Sequence, residues 1–469
     1  MSKKVLFVVP NHVNREIVIP NIGFGYLATA IRNNTSYDVE LLDALKFNLN
    51  IDDTVKTIIG KKPTIVGFQM MSRDAKNVSY ICKKIKSLAP YLITIVGGPH
   101  PSGIPEYVLK KSPEIDFLIA GEGEIPIARL LNELEEGKPN LSKVEGLGYR
   151  LDDGSIYVNK RYFEQDQDLE KLGIPAWDII DPRTYPQAPH GTFCRNIPSA
   201  PIFATRGCPY LCTYCGGHLI TGRRLRKRAI SNVMEEIGLL VDKYDVKEIH
   251  IEDDNFTLDN EYVFNFCDEL EKRKLKLSLA LPNGVRLNSL TAELLKRMES
   301  VGFYSFAVGV ETASVRLLKL LNRAITLEEM TEKIMLVSKT TNIKMTAFLL
   351  IGLPTETVEE MHLTVDYGLK MPFHKAVMTP YIPLPGTPLF NQYLEDGRIS
   401  LDNINFERMS SRDIIFTDNN IPEHEIRKIM KDFHRKFYSR PHIFNNTIKE
   451  IKSFGHLMAV LNRVRKHLL

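Results

Sequence analysis

From its first residues the chain sets short runs of β-branched and aliphatic side chains against stretches whose apolar positions recur every three or four residues. The alternation continues to about residue 140. Lys4 to Val9, Val39 to Asp43, Ile65 to Gln69, Ile93 to Gly97 and Phe117 to Ala120 read as strands buried on both faces. Ile22 to Asn33, Asp53 to Ile59, Asn77 to Leu88 and Pro105 to Lys110 read as the helices between them. Continuously apolar strands joined by helices make an α/β, doubly wound, Rossmann-like parallel sheet over residues 1–140. Ligands of such sheets bind beyond the carboxyl ends of the strands, which points to Pro10 to His12, Met70 to Arg73, Gly97 to His100 and Gly121 to Glu124. Gly23-x-Gly25-x-x-Ala28 imitates a dinucleotide fingerprint but lies well past the end of the first strand, whereas the fingerprint needs its glycines in the turn directly after it. A nicotinamide cofactor is therefore not expected.

Residues 141–200 break the alternation. Asp152-Asp153-Gly154 between Leu147 to Leu151 and Ile156 to Lys160 is a hairpin signal, and Pro175, Pro182, Pro186, Pro189, Pro198 and Pro201 then punctuate an extended linker around the single tryptophan, Trp177. The βα pattern resumes over residues 201–398. Ile202 to Thr205, Glu248 to Glu252, Leu277 to Ala280, Phe303 to Val310, Lys344 to Ile351 and Ala376 to Tyr381 are its expected strands, six units of a β/α barrel. The carboxyl ends of barrel strands carry functional groups. Here those ends read Asp253-Asp254-Asn255-Phe256, Asn283-Gly284-Val285-Arg286, Gly309-Val310-Glu311-Thr312, Gly352 to Glu356 and Tyr381 to Thr387.

Beyond residue 398 the pattern is helical and basic, with eleven basic against three acidic residues over residues 425–469. Phe433, Phe437, Ile448, Ile451, Phe454, Leu457 and Leu461 are interleaved with those charges. Two readings stay open for this tail: a helix capping its own barrel, or an amphipathic surface in peripheral contact with an anionic membrane. A chain of 469 residues, 43% hydrophobic and 25% charged, is that of an ordinary protein of two or three domains. No run of eighteen apolar residues occurs, and Met-Ser-Lys-Lys leads into Val5 to Val9, too short for a signal-peptide core; a cytoplasmic protein is expected. Cys82, Cys194 and Cys267 have no disulfide-framework spacing, and a net charge of +4 argues against nucleic acid as the main partner.

The remaining three cysteines stand together in Arg206-Gly207-Cys208-Pro209-Tyr210-Leu211-Cys212-Thr213-Tyr214-Cys215. Structural zinc and most electron-transfer iron–sulfur centres take four protein ligands, so a loop of three thiolates leaves a metal position open. A zinc loop completed by His218 or a distant cysteine is the plainer alternative.

The Cys-x3-Cys-x2-Cys spacing, with Tyr214 before the last cysteine, resembles the signature of the radical S-adenosylmethionine (SAM) enzymes. The resemblance implies a partial (β/α)6 barrel and a [4Fe-4S] cluster held by Cys208, Cys212 and Cys215. It also implies SAM on the open iron, cleaved to methionine and a 5′-deoxyadenosyl radical, with Tyr214 near the adenine. Pro20 to Ala28, Val96-Gly97-Gly98-Pro99-His100 and Gly121-Glu122-Gly123-Glu124 are similar to the cobalamin-binding domain that precedes the barrel in one subfamily. Gly97 and Gly98 would let a bulky ligand approach the backbone, or make a tight turn. The first loop, Pro10 to Arg15, lacks the Asp-x-His-x-x-Gly of cobalamin domains with a histidine below cobalt. The resemblance is thus to proteins whose corrin meets the loop after the third strand, here Met70-Met71-Ser72-Arg73, with His12 a polar loop residue.

By the same resemblance Asp253 or Asp254 stands where many members bind the SAM amine with Gly-Gly-Glu, Glu311 matches an acidic SAM contact, and Arg286 would pair with the SAM carboxylate. Plainer roles are a helix cap for Asp254 and a buried ion pair for Glu311 and Arg286. The run Arg223 to Arg228 reads as a solvated helix entry, or as a surface for an anionic substrate or an electron donor such as flavodoxin or ferredoxin. The implied activity is methyl transfer from methylcobalamin to an unactivated carbon of a small molecule, hydrophobic or lipid-like if the tail meets a membrane. The alternative is a radical cyclisation or rearrangement of a tetrapyrrole- or lipid-type substrate. A methylthiotransferase would need three more cluster cysteines in the first domain, and a non-catalytic cobalamin or iron–sulfur sensor would not need every strand end decorated.

Overall fold

Val5, Leu6, Phe7 and Val8 are each at most 2% exposed. A run buried on both faces belongs at the centre of a sheet covered by helices. In the computed structural model it forms β1 (Lys4–Val9), flanked in parallel by β2 (Asp38–Asp43) and β3 (Ile65–Gln69) and followed by β4 (Ile93–Gly97) and β5 (Phe117–Ile119). The structure describes residues 3–11, 18–161, 169–186, 194–410, 413–417 and 421–451. Residues 12–17, His12 among them, Pro189, and the tail residues Phe454, Leu457 and Leu461 lie outside the described residues.

The strand order β2-β1-β3-β4-β5 is that of a doubly wound sheet whose switch point lies between β1 and β3. Two features were not foreseen. The helix Glu124–Glu135 follows β5, and the Asp152-Asp153-Gly154 hairpin, β6 (Leu147–Arg150) and β7 (Ile156–Val158), pairs antiparallel onto β5 and extends the same sheet.

The second sheet is parallel throughout, in the order β15-β14-β13-β12-β11-β8, with β8 at Ser199–Ile202, β11 at Glu248–Ile251, β12 at Ser278–Val285, β13 at Phe303–Glu311, β14 at Lys344–Ile351 and β15 at Lys375–Pro380. Its first strand was expected over Ile202 to Thr205 but ends at Ile202. The reason is a side chain: Asp253 accepts hydrogen bonds from Ala204 N (2.8 Å) and Thr205 N (2.7 Å), taking donors that a longer ladder would use. Thr205–Arg206 then turns into a two-residue antiparallel pairing, β9, with Arg226–Lys227, β10.

The proline-rich segment does more than cross a surface. Trp177 is 2% exposed and packs with Ile22, Tyr26 and Ile180 into the barrel's core, its indole N–H donating to Glu236 at 3.2 Å. Gly25 is required here: a Cβ on it would lie 2.7 Å from Ile180 and 2.9 Å from Pro175, while Ala176 N donates to its carbonyl at 3.0 Å. The helix Glu423–Tyr438 of the tail packs inward, with Ile426, Ile429, Phe433 and Phe437 buried in the barrel core, whereas Phe444 and Ile448 of the following helix are exposed. Between them, Ile399, Leu401, Ile404 and Phe406 return to the first sheet's core, and Tyr107 donates to Leu401 O at 2.7 Å. Among the described residues no helix is long and apolar enough to cross a membrane.

Gly25→Val is expected to lower stability by about 1–3 kcal/mol through overpacking against the proline segment. Gly23→Ala, whose Cβ meets nothing closer than 3.4 Å, should be neutral or gain about 0.5–1 kcal/mol from helix propensity. Urea denaturation of the two variants checks this, and equal losses would contradict it.

Candidate functional site

The cysteine loop leaves the carboxyl end of the barrel through Gly207, whose φ of 90° suits glycine. Backbone bonds hold it there: Thr213 N donates to Leu321 O at 3.1 Å, and Leu389 N donates to Thr213 O at 3.0 Å. The three sulfurs do not all lie within 4.8 Å of one another. Among the described residues the only set of three metal-ligating side chains with all ligand atoms within 4.8 Å is a different one, so neither His218 nor another cysteine closes a single-ion site with this loop. The imidazole Nδ1 of His218 instead sits 3.0 Å from Cys215 O. Wide spacing with one ligand missing fits a polynuclear cluster with an open metal. Burial raises the thiol of half-buried Cys208 above its ordinary value, and ligation is what would ionise it.

Cations converge on Cys212. Arg286 Nη1 lies 3.6 Å from its sulfur, with the guanidinium 3.5 Å from the Tyr210 ring centroid. Arg323 Nη1 is 4.0 Å from the same sulfur, 3.2 Å from Tyr214 Oη and 4.0 Å from Glu311 Oε1, and its Nη2 donates to Gly309 O. Glu311 ends β13 with a φ of 63°, a left-handed conformation rare for a residue with a side chain and concentrated at functional sites. Burial pushes its carboxyl above the ordinary range, against the pull of Arg323 and a hydrogen bond from Tyr214. Arg323 had no signal in the sequence, because it sits in a polar connection between helices rather than at a strand end.

The two aspartates separate. Asp253, 2% exposed, has both oxygens taken by Ala204 N, Thr205 N and Thr205 Oγ1, and burial is the main cause of its carboxyl rising to about 7. Asp254 is exposed, accepting from Gly207 N at 3.1 Å and Thr221 Oγ1 at 2.6 Å, beside the Gly217 that flanks Cys215. Buried polar atoms without hydrogen-bond partners mark this rim: Arg323 Nε, both amide atoms of Asn255, and Tyr381 Oη. A polar ligand seated here would supply those partners.

On the first domain, Gly98 has a φ of 105°, and a Cβ on it would sit 3.3 Å from Met70 N and O. Its need for glycine comes from the Met70 backbone, the tight-turn reading, while Gly97 has only an ordinary neighbour in Ile119 O at 3.5 Å. Met71 and Ser72 follow, half-buried, and Ser72 Oγ lies 3.0 Å from Nδ1 of buried His100, which burial keeps neutral by pushing it down to about 4. Beside them Asp74 Oδ1 and Arg73 Nε are buried without a hydrogen bond and pair with each other at 3.8 Å, while burial lifts the Asp74 carboxyl to about 6 against the pull of Arg73. The two strand-end faces touch, since a side chain on Gly103 would collide with the Pro385 backbone and one on Gly386 would lie 2.7 Å from Gly103 Cα.

Gly121 to Glu124 lies at this junction and is an ion-pair motif. Arg206, 7% exposed and directly before Gly207, bonds Glu122 at 3.1 Å and Glu124 at 2.7 Å; Arg226 grips both oxygens of Glu122 at 2.7 and 2.8 Å. Arg228 is likewise buried on Glu236. The solvated reading of Arg223 to Arg228 therefore fails for Arg226 and Arg228, whose side chains fold inward, Arg226 to the sequence-distant Glu122 and Arg228 to Glu236 on the helix that follows. Glu122→Gln, which strands Arg226, should cost roughly 3–5 kcal/mol in urea denaturation, and adding Arg226→Met should recover part of that loss. No recovery in the double variant would show that the pair is not coupled.

Two family models match the chain in succession: the B12 binding domain over residues 11–131 and the radical SAM superfamily over residues 202–368. Over 471 residues the chain is 26% identical to an uncharacterized methyltransferase of Pyrococcus horikoshii, covering 99% of this chain and 98% of the relative. It is also 26% identical, over 470 residues, to the anaerobic magnesium-protoporphyrin IX monomethyl ester cyclase of Rubrivivax gelatinosus, covering 99% and 82% of the two chains. The fold matches that of the radical SAM methyltransferase TsrM from Kitasatospora setae, solved with cobalamin and a [4Fe-4S] cluster, at a TM-score of 0.68 and 18% identity over 94% of this chain and 86% of that one. With the three-thiol loop at the carboxyl end of its barrel and both family models in sequence, the chain is a radical SAM enzyme with an N-terminal B12-binding domain.

Proposed function

We propose that this enzyme is a cobalamin-dependent methyltransferase acting on a small molecule, with Cys208, Cys212 and Cys215 holding a [4Fe-4S] cluster. The observation that carries the reading is the meeting of the two strand-end faces at Gly103 and Pro385. It sets a three-thiol loop with no single-ion geometry beside the Met70 to Asp74 rim. When bound, the cluster with SAM supplies a radical able to take a substrate hydrogen, and the corrinoid supplies the methyl group.

The chain's own residues bind and orient. Arg286 and Arg323 place positive charge beside the Cys212 sulfur, where they would face the anionic groups of a bound cluster and its ligand. Glu311, buried next to Arg323 and Tyr214, is positioned to accept from a cationic amine, and Asp254 is the other carboxylate at the loop. Tyr214 lies against the same group as a ring for the adenine. Met71, Ser72, Gly97 and Gly98 line the corrin side, with a neutral His100 behind Ser72. An external one-electron donor, flavodoxin or ferredoxin, completes the reading, because cleavage of SAM consumes an electron.

Cyclisation is the second reading, favoured by full-length similarity to the magnesium-protoporphyrin cyclase. A methyltransferase uses SAM both as methyl donor and as radical source, so turnover should release S-adenosylhomocysteine and 5′-deoxyadenosine in equal amounts. Anaerobic turnover with reductant, cobalamin and candidate small molecules, followed by quantifying both products, checks this. Sustained 5′-deoxyadenosine without S-adenosylhomocysteine would replace methyl transfer with cyclisation or rearrangement. Release of neither from a protein that holds its cluster would remove both.

A further inference from the structure

At the opposite end of the barrel from the cysteine loop lies a second cluster of ligand-type side chains. Glu248 opens β11, and His250 stands two residues on, so both project from the same face of the strand. Cys194 approaches them from the segment ahead of β8. All three are buried, Glu248 fully and the others 5% exposed, and one ligand atom from each lies within 4.8 Å of the others. His250 Nε2 is 2.7 Å from Glu248 Oε1 and 3.9 Å from Cys194 Sγ.

The surroundings fix these groups. Tyr304 Oη donates to Glu248 Oε1 at 2.7 Å, Asn196 N donates to Glu248 Oε2 at 2.7 Å, and Cys194 Sγ lies 3.5 Å from Ser199 Oγ. Lys375, first residue of β15, also acts electrostatically on the Cys194 thiol. A thiol, an imidazole and a carboxylate, oriented by outer hydrogen bonds, make a borderline-soft donor set of the kind that selects zinc over calcium or magnesium. Thiolate and carboxylate together balance the charge of a divalent ion among buried side chains.

We propose that Cys194, Glu248 and His250 form a mononuclear zinc-class metal site that ties the segment before β8 to β11 at the amino-terminal end of the barrel. The site is separate from the iron–sulfur loop in sequence and in space. With three protein ligands the ion's fourth position falls to water or another small ligand, and at the amino-terminal face of a β/α barrel, which serves stability, the ion ties elements together. Without an ion the same groups form a polar plug whose positive charge comes from Lys375, and this is the outcome the test must separate.

The full chain carrying Cys208→Ala, Cys212→Ala and Cys215→Ala, stripped of metal and free of cobalamin, is titrated anaerobically with Co2+. One equivalent should bind, with a thiolate-to-cobalt charge-transfer band that zinc displaces. Adding Cys194→Ser should abolish the band, and Tyr304→Phe should weaken affinity about tenfold to a hundredfold. No band, or a band that survives Cys194→Ser, would overturn the proposal. If the triple-alanine background does not fold, zinc K-edge absorption on the wild-type protein with its cluster rebuilt decides. One sulfur with nitrogen and oxygen neighbours supports the site, whereas zinc absent or surrounded by sulfur alone contradicts it.

Discussion

Everything at the centre of this protein hangs on four desolvated charges. Glu122 and Glu124 come from the turn after the last parallel strand of the first sheet; Arg206 and Arg226 come from the barrel's two-residue ribbon. A buried ion pair adds little net stability over apolar packing, but it punishes mispairing heavily, and its best-attested use is to fix register. The register fixed here is that of Arg206, whose neighbour Gly207 begins the cysteine loop. The first domain thereby dictates where the three thiols start.

The second constraint is close backbone approach. Gly25 lets the proline segment lie on the first helix, and Gly103 and Gly386 let the two strand-end faces touch, each at a place where a single Cβ would force the elements apart. Residues after the barrel reinforce the contact by returning Phe406 to the first domain, where its ring packs edge-on to His100 at 4.8 Å. The two ligand rims are thus presented to each other by packing as well as by charge.

Much of this was legible in the chain. Buried strands announce themselves by continuous apolar runs, and a three-thiol loop by its spacing, so both sheets and Cys208, Cys212 and Cys215 stood out. What escaped was set by partners far away in sequence. The ion pairs of Gly121 to Glu124 had no local signal, because two glycines beside two acids carry no mark of Arg206. Asp253 and Asp254 were indistinguishable as neighbours, although one is spent on the end of β8 and the other faces the cysteine loop. Arg323 was invisible because nothing local separates an arginine that reaches Tyr214 and Cys212 from one in solvent. In the same way Arg226 reads as part of a solvated run until Glu122 is placed beside it.

The central claim is that one chain holds a corrinoid and a three-thiol cluster on faces that meet. Electron paramagnetic resonance of the anaerobic protein, loaded with cob(II)alamin and with its cluster reduced, tests it most directly. Mutual magnetic broadening of the two signals within a single molecule is the predicted result, lost when Cys208, Cys212 and Cys215 are replaced. Two sharp, independent spectra from fully loaded protein would contradict it.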